Sequence, residues 1–167
     1  FELNQKMINL ALELLDLNKE DEVIDFFCGL GNFTLPISRY VKSVVGIEGD
    51  SGLVERAKQN ASQNGISNTS FYKADLFEDV SGFEWFRGRN YNKALIDPAR
   101  TGAIEIVELL PKLNVERLVY VSCNPATLAR DTARLIDLGF SLESAGVMDM
   151  FPQTAHVESI ALFVRKN

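Results

Sequence analysis

The sequence is poor in the side chains that hold metals or cross-link a fold. Its 167 residues include two cysteines, Cys28 and Cys123, and one histidine, His156. Two thiols exclude a framework of disulfides and a four-thiolate site, and a single histidine argues against a zinc site made of protein ligands. We therefore predict that this chain has no metal site.

Long apolar runs and an excess of cations are also lacking. No stretch approaches the roughly 20 apolar residues that cross a bilayer. Lysine and arginine number 17 against 23 aspartates and glutamates, which gives a formal charge of −6. Tight binding to phosphate backbones depends on clustered cations. We expect a cytoplasmic protein without membrane contacts, whose main task is not to grip nucleic acid.

The apolar residues, 46% of the total, follow the pattern of one α/β domain. Helical and extended periodicities alternate, and no repeat or linker interrupts them. We predict a single domain over residues 1–167. Helices are predicted at 4–17, 33–40, 53–64 and 126–138, a surface loop at 81–92, and strands at 22–28, 43–48, 70–73, 93–97, 117–122, 142–148 and 157–164.

The alternation of strands and helices indicates a parallel, doubly wound sheet whose ligand lies beyond the carboxyl ends of the strands. Only a loop separates the last two strands, so we expect them to pair antiparallel. A mostly parallel sheet of seven strands that ends in an antiparallel hairpin resembles the Rossmann-like fold of the class I S-adenosylmethionine-dependent methyltransferases. This likeness predicts a layout, and the chemistry depends on the residues.

A pair of glycines follows the first strand. Gly29 and Gly31 allow the backbone to turn tightly and to approach a ligand closely. A dinucleotide site would carry a third glycine at position 34, where this chain has Thr34, and no lysine follows to neutralise phosphates. The pattern favours a ligand with an amine and a ribose over a polyphosphate.

Four acidic residues lie at or near the ends of four predicted strands, namely Asp25, Glu48, Asp75 and Asp97. Glu48 is placed to accept hydrogen bonds from both hydroxyls of a ribose, and Asp75 from an adenine amino group. Four carboxylates at one sheet edge repel one another, and the sulfonium and ammonium of S-adenosylmethionine would offset that repulsion. We expect S-adenosylmethionine as the cofactor.

Cys123 lies between the fifth strand and the next helix, where the helix dipole favours its thiolate. A thiolate that adds to carbon 6 of a pyrimidine makes carbon 5 nucleophilic, and a base then removes the carbon 5 proton. Glu158 and His156 share a face of the last strand, and Glu158 is the better base candidate. The alternatives are an inert buried cysteine, which is our interpretation of Cys28, and an ordinary exposed carboxylate.

Four segments carry a resemblance to a known family: DFFCGLGNFTLP (25–36), DPAR (97–100), SCNPATLARD (122–131) and DMFPQTAHVES (149–159). In this order they resemble the RNA (uracil-5-)-methyltransferases, which make 5-methyluridine, and are most similar to the bacterial branch that modifies 23S rRNA. The resemblance implies that Cys123 is the nucleophile and Glu158 the base. It implies S-adenosylmethionine contacts from Phe27, Asn32, Glu48, Asp75 and Asp97.

Full-length members of that branch also carry a β-barrel RNA-binding domain and a domain with an iron–sulfur cluster. Neither matches this sequence, in which no cysteine precedes Cys28. We therefore expect the catalytic domain alone, without a cluster, as a monomer that is poorly active in isolation. Its RNA substrate, 23S rRNA, is expected to bind mainly through the missing domains. Phe151 would stack on the extruded uridine, and Arg100 or Arg130 would meet its phosphate or carbonyls.

Two other interpretations stay open. An RNA cytosine-C5 methyltransferase uses the same thiolate chemistry, but such enzymes generally present a second cysteine after the fourth strand, where this chain has DPAR (97–100). The second interpretation is a non-catalytic module that binds the cofactor or RNA. It predicts that Glu158→Gln leaves any activity intact.

Overall fold

The structure, a computed structural model, describes residues 2–149 and 157–166. Within these ranges no helix has the length and apolar character that crossing a membrane requires. The elements in chain order are α1 (Glu2–Leu15), β1 (Glu22–Phe26), α2 (Thr34–Ser38), β2 (Ser43–Glu48), α3 (Ser51–Gln63), β3 (Thr69–Lys73), β4 (Lys93–Ile96), α4 (Ile104–Leu109), β5 (Arg117–Ser122), α5 (Pro125–Asp137), β6 (Phe140–Asp149) and β7 (Val157–Arg165).

All seven strands form one sheet in the order β3-β2-β1-β4-β5-β7-β6. The first five strands run parallel, whereas β7 is antiparallel to both β5 and β6. The order reverses direction between β1 and β4, which opens a crevice beyond their carboxyl ends. The predicted mostly parallel sheet of seven strands with an antiparallel terminal hairpin is confirmed.

Both faces of the sheet are covered by helices. Ile24 and Phe26 of β1 join a buried cluster with residues of α4 and α5, and Val23 joins a second cluster with α1 and α2. Alternate residues of a strand point to opposite faces, so the central strand β1, covered on both sides, is apolar apart from Glu22 at its start and the buried Asp25. This burial fixes the strand ends, and the residues after them, in place.

Besides shifts of a few residues at the ends of elements, two parts of the fold differ from the sequence prediction. No helix was predicted at α4, which has six residues and whose N-cap, Ala103, makes no side-chain capping hydrogen bond, so it lacks the usual start signal. The segment 81–92 was predicted as a surface loop, but Trp85 and Tyr91 are fully buried in the core. The Tyr91 hydroxyl donates to the Trp85 carbonyl at 2.7 Å, which satisfies its polar end inside the core.

Candidate active site

The chain after β1 turns in a left-handed conformation. Phe27, Gly29 and Gly31 have φ values of 60°, 56° and 90°. A Cβ atom on Gly31 would lie 3.3 Å from Cγ of Leu35, so the glycine also permits close packing on α2. A positive φ is costly for phenylalanine, and it ends β1 at Phe26 instead of at Cys28 as predicted. The turn directs the Gly29 amide to the Glu48 carboxylate.

Glu48 ends β2 beside this turn, as predicted. Its Oε1 accepts a hydrogen bond from the Gly29 amide at 3.2 Å, and its Oε2 accepts one from the Asp50 amide at 2.9 Å. Each carboxylate oxygen keeps a further lone pair for a ligand. The two amides therefore fix the orientation of the Glu48 carboxylate at the crevice.

A cleft of about 360 Å³ opens at the ends of β2 and β3, and we call it the outer cleft. Its wall contains three of the predicted cofactor residues, Phe27, Glu48 and Asp75, and also Phe77. The rings of Phe27 and Phe77 lie 6.0 Å apart, and Phe77 is 49% exposed. The Asp75 carboxylate accepts a hydrogen bond from the Phe77 amide at 3.0 Å. The outer cleft combines carboxylates with an exposed aromatic ring, which suits a nucleoside.

A second, smaller cavity of about 100 Å³, the inner cavity, lies at the ends of β4, β5 and β7. It brings together Asn32, Asp97 and Glu158. Sequence reasoning missed Asn4 and Met7 of α1, which also line it. Their position depends on how α1 packs over the end of the sheet, and the only local signal is their place at the start of an amphipathic helix.

The two acids that line the inner cavity, Asp97 and Glu158, have raised pKa values. Burial, and to a smaller extent the negative charge of Glu158, raise the pKa of Asp97 to about 7. Burial also raises the pKa of Glu158, whose buried Oε2 has no hydrogen-bond partner among the described residues. Carboxyl groups held in this way gain from a bound cation, which would favour their charged forms.

Asp25 lies beneath the site rather than in its wall. Its Oδ2 accepts a hydrogen bond from the Thr34 hydroxyl at 2.5 Å, and its buried Oδ1 has no partner among the described residues. Burial, with smaller contributions from the charges of Asp97 and Glu48, raises the pKa of Asp25 to about 7. Thr34, which replaces the third glycine of a dinucleotide site, is thus used to hold a carboxyl group at the first turn.

The register of two strands places Cys123 and Glu158 at the same edge of the sheet. Ser122 is the Cα partner of Ser159 in the antiparallel pairing of β5 with β7. Cys123 directly follows Ser122 at the end of β5, and Glu158 directly precedes Ser159 in β7, so both residues lie at the same edge of the sheet. Cys123 is half-buried, whereas Cys28 is buried and its thiol pKa is raised by burial and by nearby Asp25. The thiol at position 123 is the one accessible to a substrate.

The residues predicted to contact the nucleotide differ in whether the structure describes them and in whether they are already hydrogen-bonded. Phe151 and His156 lie outside the described residues. Arg100 is exposed, but Arg130 uses two of its nitrogens within the protein: Nε donates to Asp131 at 2.9 Å and Nη2 to the Thr101 carbonyl at 3.0 Å. Of the two arginines, only Arg130 donates side-chain hydrogen bonds to main-chain groups among the described residues.

The order of the strands, the glycine turn after β1 and the acids at the strand ends define a Rossmann-like methyltransferase domain. A family model described as tRNA (Uracil-5-)-methyltransferase matches residues 1–166, and the chain belongs to that family. The resemblance seen in the four sequence segments is therefore confirmed.

Named relatives agree with this assignment. The chain is 74% identical over 166 residues to the 23S rRNA (uracil(1939)-C(5))-methyltransferase RlmD of Vesicomyosocius okutanii, covering 99% of this chain and 38% of that protein. It is 58% identical to the protein of the same name from Xanthomonas oryzae, with 98% and 37% covered. The chain thus spans somewhat over a third of the length of these relatives.

A solved structure shares the fold. The tRNA (uracil-54, C5)-methyltransferase of Pyrococcus abyssi, in complex with S-adenosyl-L-homocysteine, superposes with a TM-score of 0.80 at 26% sequence identity. The match covers 97% of this chain and 38% of that one. As in the named relatives, the region shared with this chain is a minor part of a longer protein.

Proposed function

We propose that this chain is the catalytic domain of an S-adenosylmethionine-dependent enzyme that methylates carbon 5 of uridine in RNA. The observation that carries the proposal is the pairing of Ser122 with Ser159, which brings their neighbours Cys123 and Glu158 to one sheet edge, where Glu158 and Asp97 line the inner cavity. A nucleophile next to a base is what this reaction needs. The relatives named for 23S rRNA favour ribosomal RNA as the substrate.

The residues present fit S-adenosylmethionine. The outer cleft offers the fixed carboxylate of Glu48 for ribose hydroxyls, Asp75 for the adenine amine, and the ring of Phe77 for the adenine face. The inner cavity offers Asn32 and Asp97, with perturbed carboxyl groups that a sulfonium and an ammonium would stabilise in their charged forms. When bound, this cofactor supplies an electrophilic methyl group.

The side chains of this chain perform the remaining chemistry. The Cys123 thiolate adds to carbon 6 of the uracil, and the electrons of the C5–C6 double bond move toward carbon 5 and the adjacent carbonyl oxygen. After carbon 5 has been methylated, the Glu158 carboxylate accepts its proton. The electrons of that C–H bond restore the double bond, the bond from carbon 6 to sulfur breaks, and the Cys123 thiolate is released.

The whole protein supplies what this domain lacks. We assign RNA affinity mainly to parts of the relatives that this chain does not span, since its formal charge is −6. The proposal includes a single domain over residues 1–167, a monomeric state and a cytoplasmic location with the ribosomal RNA. A comparison of RNA affinity between this chain and the complete protein tests the division of labour, and equal affinities would contradict it.

Trapping with RNA that carries 5-fluorouridine tests the chemistry. Fluorine at carbon 5 cannot leave as a proton does, so the adduct with Cys123 persists after methylation and is detected as a stable protein–RNA band. The complete protein should form this adduct, Cys123→Ala should form none, and Cys28→Ala should form it as the wild type does. Adduct formation by Cys123→Ala would overturn the assignment of the nucleophile.

A further inference from the structure

One face of α5 hydrogen-bonds to the main chain of the loop that follows β4. The Asn124 side-chain amide donates to the Arg100 carbonyl at 2.9 Å, and the Thr127 hydroxyl donates to the same carbonyl at 3.1 Å. Arg130 Nη2 donates to the Thr101 carbonyl at 3.0 Å. Positions three and four apart lie on one face of a helix, so these side chains meet the loop as a continuous row.

Asp131 completes the row, and it is fully buried. Its Oδ2 accepts hydrogen bonds from the Ala103 amide at 2.8 Å and from the Tyr120 hydroxyl, and its Oδ1 accepts from Arg130 Nε at 2.9 Å. A buried carboxylate is tolerated only when such donors satisfy it. Asp131 therefore joins β5, α5 and the loop at one point.

Gly102 shows how closely the loop is pressed against the helix. Its φ is +79°, and a Cβ atom there would lie 2.6 Å from Arg130 Nη2 and 2.9 Å from Asp131 Oδ2. The Gly102 amide also donates to the Ala99 carbonyl at 3.0 Å, which closes a tight turn. The loop can adopt this path because position 102 has no side chain.

The two ends of this contact lie at the proposed active site. Asp97 is the first residue after β4, and Asn124, the N-cap of α5, directly follows Cys123. We propose that Asn124, Thr127, Arg130 and Asp131, which we call the loop clamp, are positioning residues that hold Asp97 in register with Cys123. This inference rests on the proposed function, and it gives Arg130 a role inside the protein instead of one on RNA phosphate.

A double variant separates positioning from folding. Asn124→Ser keeps a good helix N-cap at the position whose side chain accepts from the Ala126 amide, and Thr127→Val keeps the shape of its side chain. Together they remove the Thr127 hydroxyl and replace the Asn124 amide, which reaches the Arg100 carbonyl, with the shorter serine hydroxyl, without adding charge. In the complete protein, the amplitude of trapping with 5-fluorouridine RNA reports the folded fraction, and the rate constant at saturating RNA reports positioning.

We expect the double variant to keep the wild-type amplitude while its rate constant falls about tenfold or more, because small misplacements of reacting groups are costly. Asp131→Asn should lower the rate constant at least as much and should speed hydrogen exchange of the Ala103 amide. Arg134→Met is the matched control, since Arg134 also lies on α5 but forms an exposed ion pair with Glu108 of α4. It should leave the rate constant unchanged.

A wild-type rate constant in both the double variant and Asp131→Asn would overturn the loop clamp, and so would a loss of amplitude alone. Failure of the wild-type protein to form any adduct is a different result. It would reject the proposed function itself, and the two failures are therefore distinguishable.

Discussion

Ser122 of β5 lies opposite Ser159 of β7, and both are buried. Their pairing determines what lies at the crevice, because the next residues along the two strands are Cys123 and Glu158. A slip of one residue would turn every side chain of β7 to the opposite face. The mixed sheet thus brings a thiol and a carboxyl group from distant parts of the sequence to one edge.

If Glu158 is the base, removing its charge should stop the reaction at a late stage. We expect Glu158→Gln to form the covalent adduct with ordinary uridine RNA and to release little methylated product, since the amide cannot accept the carbon 5 proton. Gel-shift analysis under denaturing conditions and nucleoside analysis of the released RNA measure the two steps. Wild-type yields of 5-methyluridine would favour a non-catalytic role for this residue.

Glu48 should govern the affinity for S-adenosylmethionine. We expect Glu48→Gln to weaken binding by about tenfold or more, because a hydrogen bond to a charged group contributes roughly 1.5–3 kcal/mol. Glu55→Gln is the matched control on α3, where Glu55 lies in an exposed pair with Lys58 at 3.5 Å. Isothermal titration calorimetry measures both, and equal losses in the two variants would point to a general charge effect.

Phe77 should contribute to the same affinity without stabilising the fold. Its ring is half exposed beside Phe27, so Phe77→Ala removes little buried surface and leaves no internal cavity. We expect a loss of about fivefold or more in cofactor affinity, since aromatic stacking is worth roughly 0.5–1.5 kcal/mol beyond area burial. The melting temperature should stay within a few degrees of the wild-type value. Unchanged affinity would remove Phe77 from the site.

Cofactor binding should release protons. Asp97 and Asp25 each have a pKa raised to about 7, with burial as the main cause, so both are largely protonated in the free protein at slightly acidic pH. A bound cation lowers these pKa values and displaces protons to the buffer. Calorimetric titration at about pH 6.5, in two buffers with different ionisation enthalpies, measures the number released.

S-adenosylhomocysteine provides the control for this experiment, because it lacks the sulfonium charge while keeping the ribose, the adenine and the ammonium. It should release fewer protons than S-adenosylmethionine. Equal release by the two ligands would show that the sulfonium does not face these carboxyl groups.

The strands were the part of the fold that could be predicted most fully. The predicted bounds of the second and fifth strands, 43–48 and 117–122, agree with β2 and β5, because short apolar runs flanked by polar residues specify buried strands. Helix α4 could not be predicted, since its six residues carry no cap signal. Trp85 was placed on the surface because local polarity around it concealed a tertiary contact with Phe26.

The site, like the fold, could be predicted where local sequence patterns decide a position and could not where tertiary packing decides it. Glu48 and Asp97 could be predicted to lie at one edge, since the carboxyl ends of parallel strands meet there whatever the details of packing. Met7 and Phe77 could not be placed at the site, because their positions depend on how a helix and a loop pack over the sheet. The loop clamp also depends on tertiary structure, since Asn124 and Asp131 bind main-chain groups that sequence patterns do not specify. The roles of the site residues stay predictions.

Asp25 should make the stability of the fold depend on pH. In the unfolded chain its pKa is near 3.8, and in the folded protein burial raises it to about 7. Between about pH 4 and about pH 7 the folded state therefore holds a proton that the unfolded state has lost. The contribution of this group to the free energy of unfolding is full below about pH 4 and is lost as the pH rises through about 7. Each unit of such a shift corresponds to about 1.4 kcal/mol.

Asp25→Asn removes this titration while an amide oxygen can still accept the hydrogen bond from Thr34. We expect the variant to gain stability relative to the wild type between about pH 5 and about pH 8. Asp97 titrates in both proteins, so the difference reports Asp25 together with its coupling to Asp97. Urea denaturation at the two pH values measures the change. A difference in unfolding free energy that does not vary with pH would show that the Asp25 carboxyl group keeps its ordinary titration despite its burial. Thr34→Val removes the side-chain hydrogen bond that favours the charged form of Asp25 and should enlarge the wild-type pH dependence.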